Sequence, residues 1–598
     1  MEIERKFLIE KENLPENLAS YPCHRIEQGY LCTSPVVRIR RQDDDYFLTY
    51  KSKGLMAREE YNLPLTAEAY EHLKPKADGI LITKDRYVIP EKDGLFIELD
   101  VFHGKYEGVL LAEVEFPTEE AANAYTAPEW FRDAKFGIWS HWGPQSVPMF
   151  GDWYARNMYI EGTPQYEYHL RHYGHPSKFG YKDLCALWKA ENFDPEGLME
   201  KYYKAGARYF MSQGSHHDHF FNYDSQLNRM NSVNVGPHKD ILAQWKAAAD
   251  KFRMPFGISE HLGASFSWWR VNKGCDKFGP YAGVPYDGND PAYRDFYYDN
   301  GYLGVENPLD LNLIPWYTDN AAFRDYWLRC VKEMIDKFHP DLLYTDGSLP
   351  FGGQLWQGAS DEILTQDYAQ GLQAVAHLYN TSIEQHGSNE AVYLQKDRRP
   401  EIFNVGVLDI EKSQLPGVMP QPWHTDTCIG NWFYDVHSPY KRPEQIVEML
   451  VDIISKNGVM LLNVLQRPDG SIDEDADYIL EKLAGWFAIN SEAVYGTRPW
   501  RVFGEGSTRV KIDGFTEDKT DWNKTDFRFV QKDGAVYAFM MGAKGGQPAV
   551  LHSFTQQPVH SVELLGCGPV EFRQDFGVLI VSLPDNLPSM CANTLKIR

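Results

Sequence analysis

Up to about Tyr125 the chain reads as short runs in which apolar and polar positions alternate: MEIERKFLI, CHRIEQGYL, VVRIRR, DYFLTYKS, REEYNLPL, ILITKDRYVI, LFIELDVF and GVLLAEVEF. A period of two marks β-strands, and turn-forming or charged residues separate many of these runs. Eight of them suit a closed antiparallel barrel. After Pro128 apolar strands alternate with amphipathic stretches of helical period, such as DPEGLMEKYYKAG before ARYFMSQGS and NAAFRDYWLRCVKEMIDKFHP before DLLYTDG. That alternation predicts a parallel α/β architecture. The strand candidates are KFGIWSHWG, ARYFMSQGSHHD, FGISEH, DLLYTDG, AVYLQKD, IFNVGVLDIE, PWHTDTCIG and GVMLLNV, and eight strands over about 370 residues predict a (β/α)8 barrel with insertions. From about Pro499 short strands return in TDFRFVQKDG, AVYAFMMG, PVEFRQDFG and VLIVSL, as in a β-sandwich. The expected fold is multidomain: an antiparallel β barrel at 1–126, a central (β/α)8 barrel at 128–497 and a C-terminal β-sandwich at 498–598.

Composition narrows the function classes. With 598 residues, 43% hydrophobic and 24% charged, the chain can bury several cores and is not of a disordered or fibrous type. Asp and Glu number 84 against 60 Lys and Arg, and the net charge of −24 argues against general binding to nucleic acid or anionic membrane. Eight cysteines are scattered without a CxxC pair, which fits neither a zinc ribbon nor a disulfide framework, so most are expected to be core thiols. The first ten residues, MEIERKFLIE, carry three acids and two bases and lack the apolar core of a secretion signal. A cytoplasmic location is the corresponding expectation.

The N-terminal strands carry charge in a pattern. In the first, Glu2, Glu4 and Lys6 share one face by the period of two. The same spacing pairs Arg38 with Arg40, Lys84 with Arg86, Glu98 with Asp100 and Glu113 with Glu115, and Lys51 ends a fourth strand. For any one pair a solvated sheet face is the commoner explanation. Repetition across strands points instead to a charged lumen, where cations neutralise phosphate oxygens and carboxylates hold a hard divalent cation. The segment resembles the CYTH domains, or triphosphate tunnel enzymes, through its ExExK (Glu2, Glu4, Lys6), RIR, TKDRY, IELDVF and LAEVEFP. The resemblance implies metal ligands among Glu2, Glu4, Glu98, Asp100, Glu113 and Glu115, and triphosphate binders among Lys6, Arg38, Arg40, Lys51, Lys84 and Arg86. It also implies Mg²⁺ or Mn²⁺ as cofactor and inorganic triphosphate or a related ligand as partner. Asn62 stands where that family tends to carry a second acid after Glu60.

In the central segment polar residues fall at the ends of the predicted strands, where a (β/α)8 barrel places its active site. The first strand ends in His141 and Trp142, the second in His216 and His217, the fourth in Asp346 and Gly347. Taken singly each has a bland explanation, since Asp-Gly is a common turn and paired histidines often satisfy backbone groups. No HExxH pattern completes a metal site from the histidines. The combination resembles the α-L-fucosidases of glycoside hydrolase family 29, through WFRDAKFGIWSHWG, GDWYARNMY, HHDHFFNYDS, LLYTDG, PWHTDTCIGNWFYD, LLNV followed by RPDG, and TDFRFVQKDGAVYAF. Pro128 to Phe131 fits both resemblances. The second implies cofactor-free, retaining hydrolysis of terminal fucosyl residues on oligosaccharides or glycoconjugates, with Asp346 as nucleophile. It further implies a sugar pocket of His141, His216 and His217, with Trp153 and Trp142 packing on the apolar face and Tyr344 lining it from the nucleophile's strand. His424 stands where some relatives carry a glutamate, so the acid/base must come from elsewhere. Glu411 in VLDIEKSQ is preferred, with Glu401, Asp426 and Glu260 behind it. The alternatives for the whole chain are a fucose-binding protein without catalysis, against which the nearby carboxylates argue, and a metal-dependent triphosphatase.

Overall fold

The structure, a computed structural model, describes all residues except 1, 10, 12, 13, 16, 34, 53–56, 59, 92–94, 117–124, 306, 311–314, 353–367, 398–404, 513–516, 518, 519, 556 and 557. For residues 2–5, 8, 57 and 58 the backbone alone is described. The described residues fall into two compact units, 1–126 and 127–598.

The first unit is a nine-stranded antiparallel sheet. Its strands are β1 (Glu2–Leu8), β2 (Cys23–Thr33), β3 (Val36–Gln42), β4 (Asp45–Lys51), β5 (Ala57–Arg58), β6 (Glu60–Pro64), β7 (Asp78–Pro90), β8 (Phe96–Phe102) and β9 (Leu110–Glu115). Their order is β5-β1-β9-β8-β7-β2-β3-β4-β6, so the two edge strands are successive in the chain, and the predicted run REEYNLPL holds β6 and the last residue of β5. The register sets Lys6 opposite Glu113, Glu98 opposite Glu113, Arg86 opposite Asp100, Gln28 opposite Arg40 and Lys51 opposite Glu60. Directly opposed residues share a face, so the charged positions of seven strands line one side of the sheet. Ile39 and Leu99, of opposite parity on the same strands, are buried on the other.

The second unit begins with the predicted barrel. All eight strand candidates are strands: β10 (Phe136–Ser140), β11 (Phe210–Ser215), β12 (Phe256–Glu260), β13 (Leu342–Thr345), β14 (Val392–Gln395), β15 (Val407–Leu408), β16 (Trp423–Cys428) and β17 (Gly458–Asn463). They pair in parallel in the order β15-β14-β13-β12-β11-β10-β17-β16. A parallel bridge between Asp409 and His424 joins the two ends and nearly closes the ring. Each strand is buried along its whole length, as continuous apolar runs in a parallel sheet require. The outer helices start where a short polar side chain precedes the apolar period. Asp194, Asp240, Asn320 and Asp473 each accept a backbone N–H from the first turn of helices Pro195–Lys204, Ile241–Phe252, Ala321–Phe338 and Glu474–Asn490.

Residues 498–598 form a six-stranded and a three-stranded antiparallel sheet around one core, in which Trp500, Phe529, Phe554, Leu579 and Leu595 are buried. Among the cysteines only Cys185, Cys330 and Cys428 are buried, while Cys23, Cys275 and Cys567 are exposed, so the expectation of mostly core thiols is corrected. Period and spacing report apolar faces, and a cysteine satisfies either side of one. No helix among the described residues is long and apolar enough to cross a membrane.

Candidate active site

The C-terminal ends of the barrel strands converge on Asp346, the residue after β13. Beyond it Gly347 turns the chain at φ +107°, where a side chain would be strained and would meet Tyr317 and Trp316 at 3.2 and 3.3 Å. One Asp346 oxygen, Oδ1, accepts hydrogen bonds from the Lys396 ammonium at 2.7 Å and the Tyr344 hydroxyl at 3.2 Å. The other, Oδ2, lies 3.4 Å from Nε2 of His217 and 3.8 Å from Nδ1 of His261. Burial opposes the charge of this carboxylate, but Lys396 and His217 outweigh it and hold Asp346 well below the usual carboxylate range.

Lys396 follows β14 and links two carboxylates. Its ammonium donates to Asp346 at 2.7 Å and to Glu411 Oε2 at 2.5 Å, so those two oxygens are no more than about 5.2 Å apart. Glu411 lies just past β15, and its second oxygen accepts from the Trp432 indole at 3.1 Å. The other acidic candidates sit differently. Asp426, on β16, is buried behind Tyr344, whose hydroxyl is 3.1 Å from it. Glu260 ends β12 with its carboxylate turned to the Trp327 indole and the Leu262 amide, and burial pushes it up to about 7. Glu401 lies outside the described residues. His424 is enclosed between Asp409, at 2.5 Å, and the Tyr209 hydroxyl, at 3.0 Å, which ties the barrel seam together.

The expected sugar-binding histidines come together. His141, His216 and His261 place ring nitrogens within 4.8 Å of one another, as do His217, His261 and an Asp346 oxygen. Among the described residues His141 Nδ1 and both nitrogens of His261 have no hydrogen-bond partner, while His216 Nδ1 meets the Gln145 amide at 2.7 Å. Burial pushes His141 down to about 3 and His216 and His261 well below the ordinary range, so all three are neutral imidazoles able to donate or accept. Trp153 packs beside His217 and stacks on Trp316, with ring centroids 5.9 and 6.2 Å away. It is held at φ +59°, a left-handed conformation rare for so large a residue and typical of positions that function constrains. Beside it Asp152 lies 3.9 Å from His216, and burial pushes its carboxyl up to about 7.

Trp142 is a correction. Successive residues at a strand end point to opposite sides. With His141 facing the pocket, Trp142 packs on Trp188 and Phe193 instead and donates to the Arg467 carbonyl. The residues missed in the sequence are Lys396, His261, Asp152 and Trp316. Lys396 and His261 were legible in principle, since each ends a predicted strand, AVYLQKD and FGISEH.

In the N-terminal unit the predicted cations and carboxylates interlock. Arg86 grips Asp100 with two bonds of 2.7 Å, and also binds Glu98 and Glu113. Lys84 binds Asp100, Lys6 binds Glu113, and Lys51 pairs with Glu60 at 2.6 Å. Asn62 accepts from Thr49 and donates to Glu60, holding that pair in place. Arg38 and Arg40 stand apart: neither buried Nε has a hydrogen-bond partner among the described residues. Burial, with the neighbouring Arg38 and Arg86, holds Arg40 below the ordinary arginine range. Glu98, Asp100 and Glu113 carry the oxygen donors a hard divalent cation takes, but here each is engaged by Arg86, with Lys84 and Lys6 adding to Asp100 and Glu113. Glu115 lies on the same face at the end of β9, and Glu2 and Glu4 on β1, where Glu4 pairs with Glu115; the side chains of Glu2 and Glu4 are outside the described residues.

Residues 111–492 match the family model for α-L-fucosidase. The chain belongs to that family. Residues 1–133 match the CYTH domain model, and the overlap of the two matches contains Pro128 to Phe131. Among curated relatives, tissue α-L-fucosidase of Rattus norvegicus is 27% identical over 484 residues, covering 79% of this chain and 89% of that protein. Tissue α-L-fucosidase of Homo sapiens is 25% identical, covering 77% and 86%. The crystal structure of Thermotoga maritima α-fucosidase in complex with fucose matches with a TM-score of 0.61 at 23% identity, over 81% of this chain and 99% of that one. The barrel and its C-terminal sheets are thus the architecture of this family, preceded here by a CYTH domain.

Proposed function

We propose that the barrel hydrolyses terminal α-L-fucosides with retention, with Asp346 as nucleophile and Glu411 as acid/base. The observation that carries this reading is the pair of carboxylate oxygens held within about 5.2 Å by Lys396. Retaining glycosidases need about 5 to 5.5 Å between their carboxyl groups. In the first step an Asp346 oxygen bonds to the anomeric carbon, the glycosidic bond breaks, and Glu411 gives its proton to the leaving oxygen. In the second, water attacks the same carbon, gives its proton to Glu411 and frees Asp346. Glu411 is more accessible than Asp426 or Glu260, and a leaving group must reach its acid. His141, His216, His217 and His261 supply donors and acceptors for the hydroxyls, Trp153 and Trp316 a flat apolar wall, and Tyr344 a donor to the nucleophile. No cofactor enters this chemistry.

The decisive assay is release of nitrophenol from 4-nitrophenyl α-L-fucoside by the full chain, beside Asp346→Asn and with EDTA in parallel. Activity lost in the variant and indifferent to EDTA supports the assignment; loss in EDTA would reassign the histidine cluster to a metal. Glu411→Ala with azide on the same activated substrate should recover turnover as a fucosyl azide of retained configuration. Unchanged turnover in that variant would move the acid/base elsewhere.

A second reading concerns the CYTH domain alone. Arg38 and Arg40, with unpartnered buried nitrogens on a face shared with Lys6, Lys51, Lys84 and Arg86, suit inorganic triphosphate or a related polyanion. Glu98 and Glu113, with Glu2, Glu4, Asp100 and Glu115 nearby on the sheet, would hold Mg²⁺ or Mn²⁺, which supplies charge neutralisation when bound. Arg86 positions Glu98, Asp100 and Glu113, and Asn62 positions Glu60.

A further inference from the structure

We infer that Asp426, working with Asp409, is a positioning residue that lets the Tyr344 hydroxyl serve the nucleophile and then release it. The inference rests on the reading of Asp346 as nucleophile.

The argument is a count of protons. The Tyr344 oxygen lies 3.2 Å from Asp346 Oδ1 and 3.1 Å from Asp426 Oδ2. A phenol has a single proton and cannot donate to two carboxylates at once. Beneath it, Asp409 and Asp426 come within hydrogen-bonding reach of each other. Two carboxyl groups so placed satisfy each other only if a proton lies between them. The atoms available are Asp409 Oδ2 and Asp426 Oδ1, both buried and with no other hydrogen-bond partner among the described residues. The remaining oxygen of Asp409 is held by His424 Nδ1 at 2.5 Å, and the remaining oxygen of Asp426 faces Tyr344. The pair therefore carries one proton and one negative charge, and it presents Asp426 Oδ2 upward as an acceptor.

The groups around the pair fit this state. Tyr209, Tyr344, Lys396, Glu411 and His424 are titratable neighbours of Asp426 besides Asp409. Burial and Asp409 hold Asp426 well above the ordinary carboxylate range, and burial pushes Asp409 up to about 7. Burial pushes His424 down to about 4, so this ring adds no charge at neutral pH.

Tyr344 thus has two acceptors whose relative strength changes during the reaction. In the free enzyme Asp346 is an anion and takes the Tyr344 proton as a hydrogen bond. When an Asp346 oxygen bonds to the anomeric carbon and the glycosidic electron pair leaves with the proton of Glu411, Asp346 becomes a neutral ester. The Tyr344 O–H then turns to Asp426 Oδ2, the acceptor that the singly charged Asp409–Asp426 pair presents. Water attack returns the charge to Asp346, and the hydroxyl turns back. No proton changes owner at Tyr344, and a buried hydroxyl avoids being stranded in either state.

The test is a double-mutant cycle on the full chain with 4-nitrophenyl α-L-fucoside, using Tyr344→Phe, Asp426→Ala, Asp426→Asn and the double variant Tyr344→Phe/Asp426→Ala. Asp426→Asn places an amide N–H on Asp409 and an amide oxygen under Tyr344, so it should recover most of what Asp426→Ala loses. Asp426→Ala and Tyr344→Phe should each lower kcat/KM by on the order of tenfold, the worth of one hydrogen bond to a charged group. The double variant should lose no more than the worse single, because both act through one hydroxyl. The acid limb of kcat/KM should move to lower pH in Asp426→Ala, because a neighbouring negative charge is lost and the Tyr344 hydroxyl is left with Asp346 as its acceptor. Multiplying losses in the double variant, Asp426→Asn as impaired as Asp426→Ala, or wild-type kinetics in Asp426→Ala would each overturn the inference. Thermal melts of every variant accompany the kinetics, and Asp426→Ser replaces Asp426→Ala if the latter does not fold. Asp346→Gly with azide is run alongside. Formation of the fucosyl azide of inverted configuration upholds the nucleophile whatever the cycle returns, and its absence with an intact fold removes the premise itself.

Discussion

At the scale of single residues the barrel mouth is governed by one cation. Lys396 is the common partner of Asp346 and Glu411, and without it two carboxylate oxygens no more than about 5.2 Å apart would face each other unscreened. Replacing it with methionine should lower kcat/KM by about 10²-fold, as the loss of a preorganised charge partner does elsewhere. The pH profile identifies the cause. Burial resists the Asp346 charge while Lys396 and His217 stabilise it, so removing Lys396 raises the Asp346 pKa, and the acid limb of kcat/KM must move to higher pH. An unmoved acid limb would mean that Lys396 only packs. The residues at strand ends were legible from the chain because a parallel barrel sends them to one place whatever the details: His141, His216, His217 and Asp346 follow β10, β11 and β13. Tyr344 was legible too, two residues before Asp346 on the same face. Trp142 was misplaced because alternation at a strand end sends neighbouring residues in opposite directions, and the motif that contains it does not say which faces inward.

At the scale of elements, the barrel strands are tuned to one another at glycines. Gly137 on β10 leaves no room for a side chain: a methyl group there would lie 2.4 Å from the ring of Tyr209. Tyr209 is fully buried, and its hydroxyl reaches both His424 and the Met460 carbonyl, across the seam where β16 and β17 meet. Gly137→Ala is therefore expected to destabilise the second unit by about 1–3 kcal/mol, the usual cost of overpacking a core. Denaturant unfolding measures it. Retained stability would mean that β10 shifts freely, contrary to its full burial between β11 and β17. The strands themselves were readable because each is an apolar run flanked by helical period. Their partners were not, since a parallel pair is joined only through a distant crossover. In the first unit the run REEYNLPL is β6, and its first residue, Arg58, closes the short strand β5, which pairs with a different neighbour.

At the scale of the whole molecule the chain joins two units: a fucosidase barrel with its C-terminal sheets, and a CYTH domain with a charged face, for which polyanion binding is the proposal. They should separate cleanly by mutation. Arg40→Ala is expected to weaken binding of inorganic triphosphate, measured calorimetrically with and without Mg²⁺, by about tenfold or more, since it removes a charge-assisted contact. Its turnover of 4-nitrophenyl α-L-fucoside should match wild type, and Asp346→Asn should show the reverse pattern. Equal triphosphate binding in Arg40→Ala would show that the unpartnered guanidinium nitrogens serve packing instead. By itself the sequence determined the class of each unit, the eight barrel strands, the alternation that lines one sheet face with charge, and the strand ends where chemistry collects, because these follow from periodicity and from residue types that fold anywhere in only one way. Tertiary structure alone decided which carboxylate shares Lys396 with Asp346, that His261 completes the imidazole cluster and that Asp426 lies beneath Tyr344. Those are distances between segments far apart in the chain, set by the closure of the barrel through Asp409 and His424, and no local pattern carries them.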